Sequence, residues 1–220
     1  MKIAVLGTGN VGQTIGAKLV QLKHDVIMGS RSADNEKAKQ FAQQHAAANG
    51  TFAEAAAQAE LIFNCVSGGA ALQALQLAGI ENLKGKILVE LANPLDFSKG
   101  SLRLSVCNDD SLGEQIQRAF PETKVVKTLN TLWCGLMVNP QRIGEGDHQL
   151  FMCGNDAAAK TEVMKLLNTF GWNPLHIMDL GDITGARGME MYLPLWLRIY
   201  NTRKNGTFNV RLIEEGTSNN

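Results

Sequence analysis

A glycine pattern able to receive phosphate begins at the seventh position. Gly7-Thr8-Gly9-Asn10-Val11-Gly12 places glycine first, third and sixth. In that pattern the first glycine permits a sharp turn, the second lets backbone approach a pair of linked phosphates, and the third lets the following helix lie close to a sheet. Free N–H groups at such a helix start receive phosphate oxygens. Six residues are a weak match in a chain with 22 glycines, and a ligand-free turn is the competing explanation. Placement decides between them. Ile3-Ala4-Val5-Leu6 is a continuous apolar run just before the glycines, and Val11, Ile15, Leu19 and Leu22 keep helical spacing just after. Strand, glycine turn and helix in that order predict a dinucleotide site.

The end of the next strand reports which dinucleotide. After Val26-Ile27-Met28 the chain reads Gly29-Ser30-Arg31-Ser32, with no acid until Asp34. An Asp or Glu there would accept bonds from the adenosine ribose and repel a 2′-phosphate. Ser30 can instead donate, and Arg31 presents a planar guanidinium suited to a phosphate or to stacking over adenine. NADP(H) preference is therefore expected, with Ser32, Lys37 and Lys39 as weaker candidate phosphate contacts. The remaining cofactor-facing positions should lie at the carboxyl ends of later strands, at Val66-Ser67-Gly68, Ala92-Asn93-Pro94 and Leu129-Asn130-Thr131. Asn93 and Asn130 could bond to a carboxamide or a substrate, although a lone asparagine is as often a turn former.

No proton-transfer apparatus accompanies the site. His24, His45, His148 and His176 have no neighbouring carboxylate at a relay spacing, and no catalytic side chain is assigned. Reduction of a carbonyl gains from a general acid, whereas hydride exchange between a nicotinamide and a flavin-like ring needs mainly stacked proximity. The second case suits this sequence better. The cysteines, Cys65, Cys107, Cys134 and Cys153, show no metal-ligand spacing, so no metal is expected.

These groups need a scaffold to hold them. Further strands are read at Thr51-Phe52, Leu61–Cys65, Ile87–Val89, Lys124–Lys127 and Gln149–Cys153, and helices at Asn35–Gln44, Ala53–Gln58, Ala70–Leu77, Ser111–Phe120 and Asp156–Phe170. Their alternation predicts an α/β fold, a Rossmann-type doubly wound, mostly parallel sheet with a small helical C-terminal subdomain. The expected division is an NADP-binding domain over residues 1–155 and the helical region over 156–220. Met189, Met191, Tyr192, Leu193, Trp196, Leu197 and Tyr200 crowd two helix faces there, as core, dimer seam or substrate wall; Pro194 should kink their helix, and the polar tail Glu214–Asn220 should fray. With 21 basic and 21 acidic residues there is no long-range field for nucleic acid or an anionic membrane. Membrane-length apolar runs and a secretion signal are both missing from the sequence, so the expected location is the cytoplasm.

Together, Lys2–Gly12, Gly29-Ser30-Arg31, Val125–Thr131, Asp179-Leu180-Gly181 and Ala186-Arg187-Gly188-Met189-Glu190 resemble the NADP oxidoreductases that use the deazaflavin coenzyme, over nearly the full chain. The cytosolic reductase domain of the membrane metalloreductases is similar. The resemblance implies homodimerisation and hydride exchange between NADP(H) and a stacked tricyclic ring, with NADP contacts at Thr8, Asn10, Val11, Ser30 and Arg31, and Ser67 and Asn93 near the nicotinamide half. Where the family often has an isoleucine-proline pair and an aromatic after the fourth strand, this chain has Cys65-Val66-Ser67-Gly68-Gly69. Trp133 stands where the family has smaller residues. Deazaflavin, another flavin or a different small-molecule acceptor all stay open, as do an NADP(H)-binding sensor or scaffold without turnover and a carbonyl or imine reductase.

Overall fold

The computed structural model describes residues 1–213 and 215. Among the described residues there are ten strands, β1 (Lys2–Leu6), β2 (Asp25–Ser30), β3 (Ala48–Thr51), β4 (Leu61–Asn64), β5 (Ile87–Glu90), β6 (Leu95–Asp96), β7 (Arg103–Leu104), β8 (Lys124–Thr128), β9 (Leu150–Cys153) and β10 (Ile177–Asp179). Eight of them form one sheet in the order β10-β9-β8-β5-β4-β1-β2-β3, and β6 pairs with β7 in a small hairpin. Every neighbouring pair in the large sheet is parallel except β8 with β9. The order reverses between β1 and β4, which opens a crevice at their carboxyl ends where a ligand can lie.

The helices are α1 (Asn10–Gln21), α2 (Glu36–His45), α3 (Phe52–Gln58), α4 (Gly68–Ala78), α5 (Ile80–Leu83), α6 (Leu112–Ala119), α7 (Cys134–Met137), α8 (Ala157–Thr169), α9 (Ala186–Met191) and α10 (Leu193–Arg203). Two apolar cores lie on opposite faces of the sheet. One packs Ile15, Leu19, Phe41, Val163, Leu167 and Trp172 against Ile3, Val5, Phe63 and Val126. The other packs Phe52, Ala71, Leu75, Ile116 and Met189 against Ala4, Leu6, Ile62 and Leu88. Alternate residues of β1 and β4 thus point to opposite faces, which is why these strands read as unbroken apolar runs.

The predicted α/β Rossmann-type architecture is present, with local corrections. Phe52 is no strand residue. Thr51 ends β3 and caps α3, its hydroxyl accepting from the Glu54 N–H while the Glu54 carboxylate accepts from the Thr51 N–H at 2.8 Å, a reciprocal cap that starts the helix at Phe52. The preceding Ala48-Asn49-Gly50 forms an edge strand despite low strand propensity. Pro194 does not kink a continuous helix; it stands in the first turn of α10, which begins just after α9 ends, a position where a missing N–H costs nothing. Of the residues beyond 155, α8 and β10 complete the sheet layer, and α9 and α10 make the small C-terminal helical subdomain. The fraying expected for Glu214–Asn220 lies, apart from Glu215, outside the described residues. Among the described residues no helix is long and apolar enough to cross a membrane, and no group of three or more His, Cys, Asp or Glu could hold a metal ion.

Candidate nucleotide site

Gly7 sits at φ +114°, a backbone conformation that side chains rarely adopt, and a Cβ there would lie 2.8 Å from the Cys65 carbonyl oxygen. A Cβ on Gly12 would overlap the Gly7 carbonyl oxygen, so α1 can leave the turn at this angle only with glycine there. Gly9 differs: a Cβ would meet nothing within 4 Å. The turn and the helix packing therefore explain Gly7 and Gly12 from within the protein, while the space above Gly9 is open. Gly9 caps α1 without a side-chain bond and no acid occupies the first turn. Uncapped N–H groups and the positive end of the helix dipole face that space.

A cleft of about 590 Å³ extends from Gly9, Asn10 and Val11 of α1 past Cys65–Gly69 to Leu91, Ala92 and Asn93 after β5, with Leu95 and Phe97 of the hairpin region along its rim. Val66 and Ser67 also line a smaller adjoining hollow of about 160 Å³ that includes Arg31, Phe52 and Gln73. The structure thus brings Gly9, Asn10, Val11, Val66, Ser67 and Asn93 into one cleft and Arg31 into its neighbour. Thr8 lies on the turn, its carbonyl held by the Gln13 side chain at 3.1 Å. Ser30 is buried and its hydroxyl donates to the Ser32 carbonyl at 2.5 Å, which fixes the bend that projects Arg31. Lys39 is paired with Asp34 at 3.0 Å.

At the far end, Asn93 and Asn130 are locked together. The Asn93 side chain donates to the Asn130 carbonyl at 2.8 Å, and the Asn130 amide donates to Asn93 Oδ1 at 2.9 Å and to the Met189 carbonyl at 3.1 Å. Asn130 Oδ1 and Thr131 Oγ1 are buried with no hydrogen-bond partner among the described residues. A Cβ on Gly68 would overlap the Asn93 carbonyl, so the start of α4 presses directly on this loop.

Below Ala92 lies a buried charge cluster that sequence reasoning did not find. Lys127 Nζ donates to the Ala92 carbonyl at 2.5 Å and stands 2.8 Å from Glu190 and 3.8 Å from Glu90, all three side chains being almost fully buried. Glu90 accepts from the Ala92 N–H at 2.6 Å and from Asn64 at 2.5 Å. The only signal in the sequence was Glu90 closing the apolar run of β5 and Lys127 following the apolar pair of β8. Burial pushes the Glu90 carboxyl above the usual glutamate range, against the pull of Lys127 and its hydrogen-bond donors. The folded chain then holds a proton that the unfolded chain has released, so stability falls as pH climbs from the ordinary glutamate value through the raised one. Glu90→Gln, neutral at every pH, should flatten that decline. Urea midpoints from about pH 4 to pH 8 check this, and equal slopes in the two proteins would exclude it.

Other candidates lie elsewhere. Trp133 lines a separate cleft beside α1, with Arg142 over its ring at 5.0 Å. His148 is buried between Pro140 and Asn209, and His176 bonds the Gly146 carbonyl. Met189, Leu193 and Trp196 are buried, Trp196 stacking on Tyr200 and Phe208. Phe97, 62% exposed at the cleft rim, was missed because nothing distinguishes an aromatic in a loop until the loop is placed. Burial pushes the Cys65 thiol up, and among the described residues no other titratable side chain lines the cleft.

The sequence profile of the family described as NADP oxidoreductase, coenzyme F420-dependent, matches residues 2–94. The F420-dependent NADP reductase of Methanocaldococcus jannaschii is 26% identical over 96% of this chain and 98% of its own. The metalloreductase STEAP3 of Rattus norvegicus is 30% identical over 89% of this chain, which spans only 38% of that protein's length. The crystal structure of a candidate F420-dependent NADP-reductase from Arthrobacter sp. FB24 superposes with a TM-score of 0.92 at 49% identity, covering 97% of this chain and all of that one. Imine reductases such as that of Pseudomonas sp. share the fold, at a TM-score of 0.67 and 17% identity. Covered almost end to end by the Methanocaldococcus and Arthrobacter proteins, the chain belongs to the family of coenzyme F420-dependent NADP oxidoreductases.

Proposed function

We propose that this protein exchanges a hydride between NADP(H) and a flavin-like ring, deazaflavin first among them, in the cleft between α1 and the loop after β5. The residues fit the dinucleotide: the open space over Gly9 accommodates phosphates, the uncapped start of α1 supplies donors, and Arg31 faces the ribose 2′-phosphate with Ser30 shaping its bend. Gly7 and Gly12 hold the turn, and Thr8, Asn10 and Val11 follow the pyrophosphate. Val66, Ser67 and Asn93 border the nicotinamide half. When bound, the nicotinamide supplies or accepts the hydride.

The observation that carries the acceptor class is a cleft whose only titratable lining group among the described residues is Cys65, its thiol pushed up by burial. Such a site can align two rings, but it has no acid to meet a developing alkoxide. Phe97 and Leu95 on the rim offer an apolar wall for a flat acceptor. NADPH oxidation measured against deazaflavin, FMN, FAD, a ketone and a cyclic imine, with intrinsic oxidase activity subtracted, tests the reading. Turnover is expected with the ring acceptors and at least about tenfold better with NADPH than NADH. Turnover confined to the ketone or imine would overturn the acceptor, and tight NADPH binding without any turnover would favour a sensor.

A further inference from the structure

The segment Ala186–Glu190 stands out in the sequence, yet it does not line the cleft. It is anchored twice to the start of α6. Glu190 accepts from the Leu112 and Gly113 N–H groups at 2.8 and 3.0 Å, and Arg187 grips Glu114 with two hydrogen bonds of 2.9 and 2.6 Å. The Glu114 carboxylate, three residues after the Ser111 cap, accepts from Arg187 and from the Ser111 hydroxyl. Arg187 holds that carboxyl below the usual glutamate range.

From this anchored position two connections run to the loop after β5. Through Glu190 and Lys127 the first reaches the Ala92 carbonyl, while Glu90 takes the Ala92 N–H. The second runs from the Met189 carbonyl to the Asn130 amide and on to Asn93 Oδ1, with Asn93 returning a bond to the Asn130 carbonyl. Both polar groups of Ala92 and the carboxamide of Asn93 are therefore set by groups outside the cleft. Leu129, beside Asn130, is held at φ +63°, a conformation unfavourable for leucine, so the Asn130 end is fixed against local preference. An apolar core would stabilise the fold as well as a buried lysine between two glutamates, whereas this cluster fixes direction.

We propose that α9 is a positioning element for the nicotinamide half of the cofactor, acting through Lys127 on Ala92 and through Asn130 on Asn93. The inference rests on the NADP(H) reading above and adds residues that touch neither cofactor nor acceptor. Its signature is selective. The adenosine half, bound near Arg31 and the start of α1, should be indifferent to α9, while the nicotinamide half should lose its orientation.

Two ligands separate these effects: 2′,5′-ADP, which carries only the adenosine half, and NADPH. Calorimetric Kd values are measured for both in the full chain and in Asn130→Ala and Glu190→Gln, together with the nicotinamide fluorescence of bound NADPH. In each variant 2′,5′-ADP affinity is expected to stay within about twofold, whereas the NADPH preference over 2′,5′-ADP drops about tenfold, one charged or two neutral hydrogen bonds' worth, and the bound fluorescence moves toward that of free NADPH. If Glu190→Gln does not fold, Asn130→Ala, which leaves the charge cluster intact, decides. A folded Asn130→Ala with an unchanged preference and fluorescence overturns the inference alone. A parallel loss of both ligands also overturns it, since that is the mark of a merely structural contact. Failure of the unmodified protein to bind either ligand overturns the NADP(H) reading and this inference with it.

Discussion

Gly12→Ala is expected to lower the melting temperature by about 5–10 °C and to abolish measurable NADPH binding, because the added methyl falls on the Gly7 carbonyl oxygen and α1 must swing away from the sheet. That oxygen belongs to the turn at φ +114°, whose own freedom is limited by the Cys65 carbonyl, so neither partner can yield cheaply. Gly9→Ala is the informative contrast. Gly9 has φ −76° and ψ −178°, which alanine adopts without strain, and its Cβ would enter open space. The melting temperature of the unliganded protein should stay within about 2 °C, since alanine also narrows the unfolded ensemble. NADPH affinity should nevertheless fall at least about tenfold, because the methyl takes up the room through which phosphates reach the backbone N–H groups. Thermal melts with and without NADPH read both quantities. A Gly9→Ala protein that binds NADPH normally would mean that the phosphates do not lie over this residue.

That contrast also shows why part of the site was legible in the sequence. The fingerprint combines an internal requirement at Gly7 and Gly12 with an external one at Gly9, and all three fall within six residues, so local spacing exposes them. The strand-turn-helix order, the missing acid after β2 and the run of alternating elements are equally local, and they carried the fold class. What escaped was whatever depends on meetings between distant segments. Glu90, Lys127 and Glu190 come from β5, β8 and α9 and look like unremarkable charges until the sheet order places them together. The helix expected from Ser111 is present and Ser111 caps it, but the use of Glu114 by Arg187 could not be foreseen from spacing. β3 was misplaced because Ala48-Asn49-Gly50 has little preference for a strand and is held in the sheet by pairing with Ile27–Ser30, a tertiary effect that overrides propensity. Trp133, which stands where the family has smaller residues, lines a separate cleft with Thr14, Ala17 and Lys18 of α1.

Arg31→Ala should weaken NADPH binding roughly 10- to 100-fold and leave NADH binding within about threefold, which removes most of the preference between the two. Arg31 is exposed, borders the same hollow as Ser67 and Gln73, and has no ion-pair partner among the described residues; Lys39 is already committed to Asp34. The guanidinium is therefore available to an incoming dianion with two parallel donors, a match that a lysine's single ammonium does not reproduce. Arg31→Lys should accordingly recover part of the affinity but not all of it. Salt gives an independent check: the NADPH Kd of the unmodified protein should rise with ionic strength more steeply than that of Arg31→Ala, because one charge contact has been removed. If Arg31→Ala and the unmodified protein bind NADPH equally well, and with equal salt dependence, the 2′-phosphate is held by some other group and the cofactor preference has to be explained without this residue.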